Sequence, residues 1–358
     1  MRVEHFYKRL MKRNNHLPTI SVVTPTYNSI RTIERCLKSI RAQRYPQKNI
    51  EIIVVDGGSK DATLTIAKKY NARIYTIDPT KQNAEYNKSI GIKHATHEIL
   101  AMIDHDNVLP HAHWLSKMVR PFMEDTNVVG VETLRYAYDS KESLLDRYFA
   151  LFGTGDPFVW YLGRADRLSY MFSQYNLAGE VAKRKPHYIV RFTDMNMPTI
   201  GANGFLVRRK ILLRYAHASP GEYFDMDVNV DLIRNGFDTY AFVNDAILHL
   251  TGYGNIWSYL KRRMLFMNQY HVGVKSLERK RVRRYEIFTK KEIWRLVLAI
   301  FYCVTLVVPL FDSCRGFLKI RDRAWFLHPV MGVGFVFIYS WVIIRHQILL
   351  YANKIMGK

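Results

Sequence analysis

Cysteine is scarce in this chain. Its 358 residues include three, Cys36, Cys303 and Cys314, widely separated and odd in number. They offer neither a disulfide framework nor metal-ligand spacing, so a reducing, cytosol-facing protein is expected. Acidic residues are also few: 31 Asp and Glu stand against 53 Lys and Arg, a formal net charge of +22. A basic excess of this size calls for an anionic partner, whether nucleic acid, phospholipid headgroups or a phosphorylated substrate. The N-terminus carries Arg2, Lys8, Arg9, Lys12 and Arg13 with no apolar stretch behind them, so no secretory signal is expected. Phe6, Tyr7, Leu10 and Met11 fit either one face of a short amphipathic helix or a basic tail. Internal repeats and low-complexity segments are lacking.

What the chain does have is apolar residue, at 48% of the total, enough for a sizeable core. From Thr19 to about Met123 short β-rich runs alternate with helical stretches. The strands are Ile20–Thr24, Glu51–Val55, Arg73–Ile77 and Ile99–Ile103. Between them lie the helical pattern Ile30, Ile33, Leu37, Ile40 and helices near Asp61–Tyr70 and Asn83–His94. Nearly continuous apolar strands separated by helices predict a mostly parallel, Rossmann-like α/β sheet. Ligands of such sheets sit outside the carboxyl ends of the strands. Three of these ends are polar: Thr24-Pro25-Thr26-Tyr27-Asn28, Asp56-Gly57-Gly58-Ser59 and Asp104-His105-Asp106-Asn107. Beyond strand Val128–Glu132, the stretch Tyr136–Arg191 is rich in aromatics and charge without clear period, and reads as a substrate-facing insertion. Gly201-Ala202-Asn203-Gly204 leads into strand Phe205–Val207, and Asp225–Arg234 reads as a helix stopped by Gly236.

The last third differs in kind. Residues 255–295 hold 12 Lys/Arg and 3 acidic residues, and Ile256, Trp257, Tyr259, Leu260, Met264, Leu265 and Met267 accompany Lys261, Arg262 and Arg263. That mixture predicts a basic amphipathic helix in a membrane interface. Two runs free of Asp, Glu, Lys and Arg follow, Leu296–Phe311 with 16 residues and Ala324–Ile344 with 21. The second is long enough to span a bilayer, which takes about 20 residues. The first is short and contains Pro309, which fits a re-entrant or tilted segment. Trp294, Trp325 and Trp341 flank the runs as interface anchors do. The expected division is therefore a basic segment 1–18, a catalytic domain 19–254, a basic interfacial region 255–295 and a membrane region 296–358 with two apolar segments. Arg315, Lys319, Arg321 and Arg323 on the connecting link leave two topologies open, two crossings or a hairpin that returns to the same side.

The chemistry centres on Asp104 and Asp106. Two carboxylates one residue apart at a strand end can place oxygens around a hard divalent ion, Mg²⁺ or Mn²⁺, and the ribose of a nucleotide. An ion there offsets charge as a diphosphate leaves.

With those residues in view, a family resemblance emerges. Ile20-Ser21-Val22-Val23-Thr24-Pro25-Thr26-Tyr27-Asn28 resembles the opening strand of family 2 glycosyltransferases. Glu51–Asp61 is similar to their second-strand motif, and Asp104-His105-Asp106-Asn107 to their metal motif, in place and order. The resemblance covers about residues 19–250. It implies a GT-A fold and inverting transfer of a sugar from a nucleotide-sugar. By matched position it gives Pro25, Tyr27 and Asn28 to the donor nucleotide, Asp56 to its base, Asp104 to the ribose and metal, and Asp106 to the metal. Asp56 suits the imide of uracil, which makes UDP the default donor. Lys88 matches a basic position that can touch the diphosphate, with a solvated helix face as its competing reading. Asn203, in the Gly201–Gly204 loop, matches a position beside the donor sugar, with an ordinary turn as its competing reading. His249 stands as a third metal ligand or diphosphate contact against an ordinary core histidine. Arg263, with Arg262, matches a diphosphate or acceptor contact against headgroup binding. Where the family keeps a Glu-Asp pair, this chain has Phe224-Asp225-Met226-Asp227; the base is assigned to Asp227 first and Asp225 second. Asp156 and Asp166 carry no assigned role.

The leading reading is a membrane-associated glycosyltransferase with its catalytic domain facing the cytoplasm, acting on a lipid-linked glycan or glycolipid. A polyprenyl- or dolichyl-phosphate sugar synthase is the alternative product class, and a processive synthase fits less well because two apolar segments are too few for a channel. Nucleotidyl transfer is disfavoured because the Gly-rich, Arg-containing loop expected after the first strand is absent. A nucleic-acid or membrane binder without transferase activity, or a dead nucleotide-binding scaffold, completes the alternatives. The charge clusters beside apolar runs, which favours lipid over nucleic acid.

Overall fold

A computed structural model describes residues 17–272 and 290–355. The N-terminal pattern at Phe6–Met11 and the basic residues 273–289 lie outside the described residues. The chain forms two compact units. The first comprises Met1–Glu132, Lys183–Val190 and Gly201–Val243; the second comprises Thr133–Ala182, Arg191–Ile200 and Asn244–Lys358.

The strands are β1 (Ile20–Thr26), β2 (Ile50–Asp56), β3 (Arg73–Thr76), β4 (Ile99–Met102), β5 (Asn107–Val108), β6 (Gly130–Tyr136), β7 (Glu180–Lys183), β8 (Tyr188–Arg191), β9 (Phe205–Arg208) and β10 (Thr239–His249). In the first unit they are ordered β3-β2-β1-β4-β9-β6-β10. β2, β1 and β4 are parallel neighbours, and every residue of β1 and β4 is buried, as continuous apolar sequence requires. Register fixes the functional end of this sheet. Thr26 pairs with Asp56 and Val23 with Met102, so the Asp56 loop and the Asp104 loop leave the sheet on either side of the end of β1. Helix Ala84–His94, capped by the Asn83 side chain, packs tightly on β1: a Cβ at Gly91 would come within 2.4 Å of Val23 Cγ1.

The parallel reading holds for β1–β4 and stops there. β9 runs antiparallel to β4, pairing Met102 with Phe205 and Ile99 with Arg208. The reversal is built by the Gly201–Gly204 loop, where Gly201, Asn203 and Gly204 all take positive φ and Gly204 N–H donates to Met102 O. Helix Asp225–Arg234 ends before Gly236, which takes a positive φ as a helix stop does.

In the second unit the aromatic-rich stretch is core. Helices Leu144–Phe152 and Pro157–Tyr161 supply Tyr148, Phe149, Phe152 and Phe158, which cluster with Tyr259, Leu260, Trp325, Met331 and Phe335. Helix Ile256–Met267 matches the expected amphipathic helix and buries Tyr259 and Leu260 in that cluster. The apolar run Leu296–Phe311 is not one helix. Helices Lys290–Thr305 and Val307–Lys319 meet at a 77° bend, with Leu306 at φ 62. Pro309 has no N–H to offer Thr305 O and crowds that carbonyl, so the helix stops and restarts with proline in its first turn. Among the described residues one helix, Arg323–Ala352, is long and apolar enough to cross a membrane.

The three tryptophans separate. Trp294 is 66% exposed and Trp341 51%, but Trp325 is fully buried, stacked edge-on against Phe152 and filling the space left by Gly316. Its role is packing, which corrects its reading as an interface anchor. Trp325→Ala should therefore cost about 3–5 kcal/mol of stability, while Trp294→Ala should stay within about 0.5 kcal/mol. Thermal unfolding of both variants in detergent micelles checks this.

Candidate functional site

The first unit brings three strand ends together. At the end of β1, Pro25 is buried, Tyr27 is 46% exposed, and Asn28 adopts a left-handed φ of 48, which asparagine tolerates. Asn28 N–H donates to Ser59 Oγ at 2.8 Å, and its Oδ1 accepts from Lys60 N–H at 2.9 Å, locking the β1 loop to the β2 loop. Asp56 is fully buried. Its Oδ2 accepts from Gly58 and Ser59 N–H and its Oδ1 from the Ser59 hydroxyl. As placed, Asp56 organises its own turn, and Oδ1 keeps one lone-pair direction for a further donor.

The Asp104–Asn107 loop follows β4. Asn107 Oδ1 accepts from Asp104 N–H at 2.9 Å, and Asn107 Nδ2 donates to Asn203 Oδ1 at 3.1 Å, so the acidic loop is tied to the Gly201–Gly204 loop. His105 Nδ1 lies 2.9 Å from Thr32 Oγ1, which turns its ring toward the start of helix Ile33–Arg41. Asp104 and Asp106 remain half-buried. Asp104 Oδ1 is buried without a hydrogen bond, with Lys88 Nζ 3.5 Å away.

Lys88 is the hub. It is 2% exposed, 3.5 Å from Asp104 and 2.5 Å from Asp225 Oδ2. The solvated-face reading of Lys88 is thereby corrected: helix Ala84–His94 aims it inward. Asp225 also accepts from Tyr223 OH at 2.6 Å, and its N–H donates to Glu85 Oε2 at 3.1 Å. Asn229 Nδ2 holds the Asp225 carbonyl at 2.7 Å, and a Cβ at Gly201 would come within 2.5 Å of that same carbonyl oxygen. Thus glycine at 201 lets the loop close on the start of helix Asp225–Arg234. Asp227 is buried in the first turn of that helix.

Three carboxylates share one lysine. Burial penalises the Lys88 charge, but Asp104, Asp225 and Glu85 outweigh it and hold the ammonium above its ordinary range. Burial, then the Asp225 charge, pushes the Glu85 carboxyl well up, against the pull of Lys88. Burial likewise raises Asp104, with Lys88 opposing. Glu85 and Tyr223 are absent from the sequence reading. Glu85 had a signal, since Glu85 and Lys88 are three apart on one helix face; Tyr223 had none.

His249 and Arg263 belong to the second unit. The His249 ring packs beside Tyr136 and Phe149, at 5.5 and 5.7 Å. Arg263 lies over Phe266 and 3.8 Å from Asp156 Oδ2, so a buried aspartate without an assigned role is its partner. Among the described residues no group of three or more His, Cys, Asp and Glu side chains could enclose a metal ion. The Asp104–Asp106 pair fits an ion of a different kind. Mg²⁺ keeps several waters and takes one or two carboxylates plus substrate phosphates, and two half-buried carboxylates one residue apart match that donor set.

Residues 21–213 match the family described as Glycosyl transferase family 2. Glycosyltransferase AglE of Haloferax volcanii is 31% identical over 137 residues, 37% of this chain and 44% of that protein. A Methanococcus voltae protein is 39% identical over 83 residues, 21% of this chain and 25% of its own length; it is named dolichyl N-acetyl-alpha-D-glucosaminyl phosphate 3-beta-D-2,3-diacetamido-2,3-dideoxy-beta-D-glucuronosyltransferase. The chain thus spans less than half the length of these relatives. Among solved structures, the mannosyltransferase PcManGT of Pyrobaculum calidifontis, in complex with GDP-Man and Mn²⁺, superposes with TM-score 0.51 at 16% identity over 95% of this chain and 94% of that one. That likeness concerns the fold, a GT-A α/β architecture.

Removing the shared cation should be costly in a pH-dependent way. Lys88→Met leaves buried carboxylates uncompensated, at about 3–5 kcal/mol near pH 8. Carboxyl groups whose folded pKa is raised contribute stability at low pH and lose it as pH rises. The penalty should therefore shrink from pH 8 to pH 5, which unfolding curves at the two pH values measure.

Proposed function

The chain belongs to glycosyl transferase family 2, and we propose that it is an inverting, divalent-metal-dependent transferase that moves a sugar from a nucleoside diphosphate sugar to an acceptor held at the cytoplasmic face of a membrane. The observation that carries this reading is the junction of the acidic loop after β4, through Lys88, with the start of helix Asp225–Arg234. In that junction Asp104, read with Asp106 as the metal and ribose pair, stands beside Asp225, read as the base.

In this proposal Tyr27 and Asn28 receive the nucleoside, and Asp56 holds the loop that borders it. Asn203, fixed by Asn107, borders the donor sugar. Asp106 and Asp104 would hold the ion, which supplies positive charge to the departing diphosphate when bound. The acceptor hydroxyl attacks the anomeric carbon opposite the diphosphate. Its new C–O bond forms as the bond to the phosphate oxygen breaks, and its proton goes to a carboxylate. We assign that carboxylate to Asp225, reversing the order expected from sequence, because Lys88 links it to Asp104. Lys88 then has two anions to choose between. As the diphosphate enters, the lysine can turn toward it and release Asp225 Oδ2. The membrane part of the proposal is supported by the exposed apolar side chains of the second unit, among them Phe301, Val304, Val307, Phe311, Phe337 and Trp341. A lipid-linked or glycolipid acceptor fits such a surface. His249 stays as a proposed diphosphate contact and Arg263 as a proposed donor or acceptor contact.

Asp225→Asn should keep nucleotide-sugar binding within about threefold and lower transfer by about 10²–10⁴-fold, the usual contribution of a positioned base. Asp227→Asn should have the smaller effect, and the opposite ranking would return the role to Asp227. Chelation should stop transfer and Mn²⁺ or Mg²⁺ should restore it. The decisive assay offers UDP- and GDP-sugars with extracted lipids and identifies the labelled product by mass spectrometry. Neither transfer nor donor hydrolysis with any donor would overturn the proposal.

A further inference from the structure

The second unit carries a large apolar surface whose ends are pinned to its own body. Helix Lys290–Thr305 exposes Val297, Phe301 and Val304, and helix Val307–Lys319 exposes Val307, Leu310, Phe311 and Leu318. Each polar boundary of this bent pair is bonded to the segment Thr133–Ala182. Before the first arm's apolar run, Glu292 Oε1 meets Arg164 Nη2 at 2.9 Å. On the second arm, Asp312 Oδ2 accepts from Tyr161 OH at 3.2 Å. After it, Asp322 Oδ2 meets Arg147 Nε at 2.9 Å and accepts from Tyr138 OH at 2.7 Å. The pair leaves the body and returns to it.

Lengths agree. A bilayer's hydrocarbon core is about 30 Å thick. The uncharged part of the first arm, Leu296–Thr305, rises about 15 Å before the bend. The second arm then brings in Asp312, Arg315 and Lys319, with Pro309, Ser313 and Gly316 buried against the body. The long helix is tied down as well. It starts at the bonded Asp322, and about 26 Å further along its axis Tyr339 OH donates to Asp156 Oδ2 at 2.5 Å. Asp156 in turn faces Arg263 at 3.8 Å. A helix set across the bilayer would carry one of these charged pairs to the far side of the core. A helix lying in the plane keeps both at one depth. Its outward face, Val330, Val333, Phe337, Trp341 and Ile344, is apolar. Exposed Lys290, Lys291, Arg295, Arg315, Lys319, Arg321 and Arg323 lie at the ends of the apolar runs, where they complement anionic headgroups.

We infer that the second unit is monotopic: the bent pair and the long helix lie within one leaflet of an anionic bilayer and no segment among the described residues crosses it. The inference goes beyond the transferase reading and does not depend on turnover.

Sidedness tests it on the full chain. Cys36 and Cys303 are buried, so Cys314→Ser gives a background without an exposed thiol among the described residues. Single cysteines are then placed at Lys141→Cys on the body, at Arg321→Cys on the link, and after Lys358. In sealed vesicles, a membrane-impermeant maleimide should label all three from the same face and to the same extent. Protection of Arg321→Cys until detergent is added, with Lys141→Cys labelled, would overturn the re-entrant pair. Protection of the appended cysteine would overturn the in-plane long helix. The protein should also stay with vesicles through an alkaline carbonate wash, and its release would overturn the lipid seating. Transfer measured on the same vesicles is scored separately, so loss of activity leaves this result readable.

Discussion

One buried ammonium, that of Lys88, must answer three carboxylates. Its cost in water-free surroundings is several kcal/mol unless those partners are held close. Much of the first unit is arranged to hold them. Gly91 lets the lysine's helix press onto β1, Asn107 and Asn203 fix the Asp104 loop, and Gly201 with Asn229 fixes the backbone at Asp225. The cluster still has more negative than positive charge, with Glu85 pushed toward its neutral form. Protonation of Glu85 offsets part of that excess, and in the proposed transferase a bound cation would offset more. That is why the acidic pair and the lysine read as one device rather than as separate motif positions.

Legibility in the sequence followed the physics of burial. β1, β2 and β4 are buried on both faces, so their apolar runs were unbroken and their ends could be read as polar clusters. Helix Asp225–Arg234 had acidic residues at its start and a glycine stop, and its ends agree with the reading. The antiparallel return through β9 was hidden because strand direction leaves no mark on the three apolar residues Phe205–Val207. Lys88 was read as one of two things because a lysine's burial depends on partners 16 and 137 positions away.

The second unit was harder for a different reason. Its core is aromatic, and rings packed edge to face obey no simple period. Tyr148 and Phe152 find partners in His328 and Trp325, more than 170 residues later. A window of 11–18 residues, the scale on which periodicity is read, sees only scattered rings. Composition did mark the apolar runs, but it could not separate Trp294 from Trp325 or show that Leu296–Phe311 turns a corner at Leu306. The corner sets a leucine in the left-handed region, at about 1–2 kcal/mol, a cost that packing of Pro309, Ser313 and Gly316 offsets.

That corner has a mechanical side. A body seated in one leaflet adds area to that leaflet and none to the other. Interfacial binding of this sort responds to curvature and lipid packing. A bilayer whose cytoplasmic monolayer is stretched, or rich in lipids with small headgroups, would offer gaps that Phe301, Val304, Val307 and Phe311 can fill. The bend at Leu306 would then sort the protein toward regions of membrane by their shape, before any substrate is met.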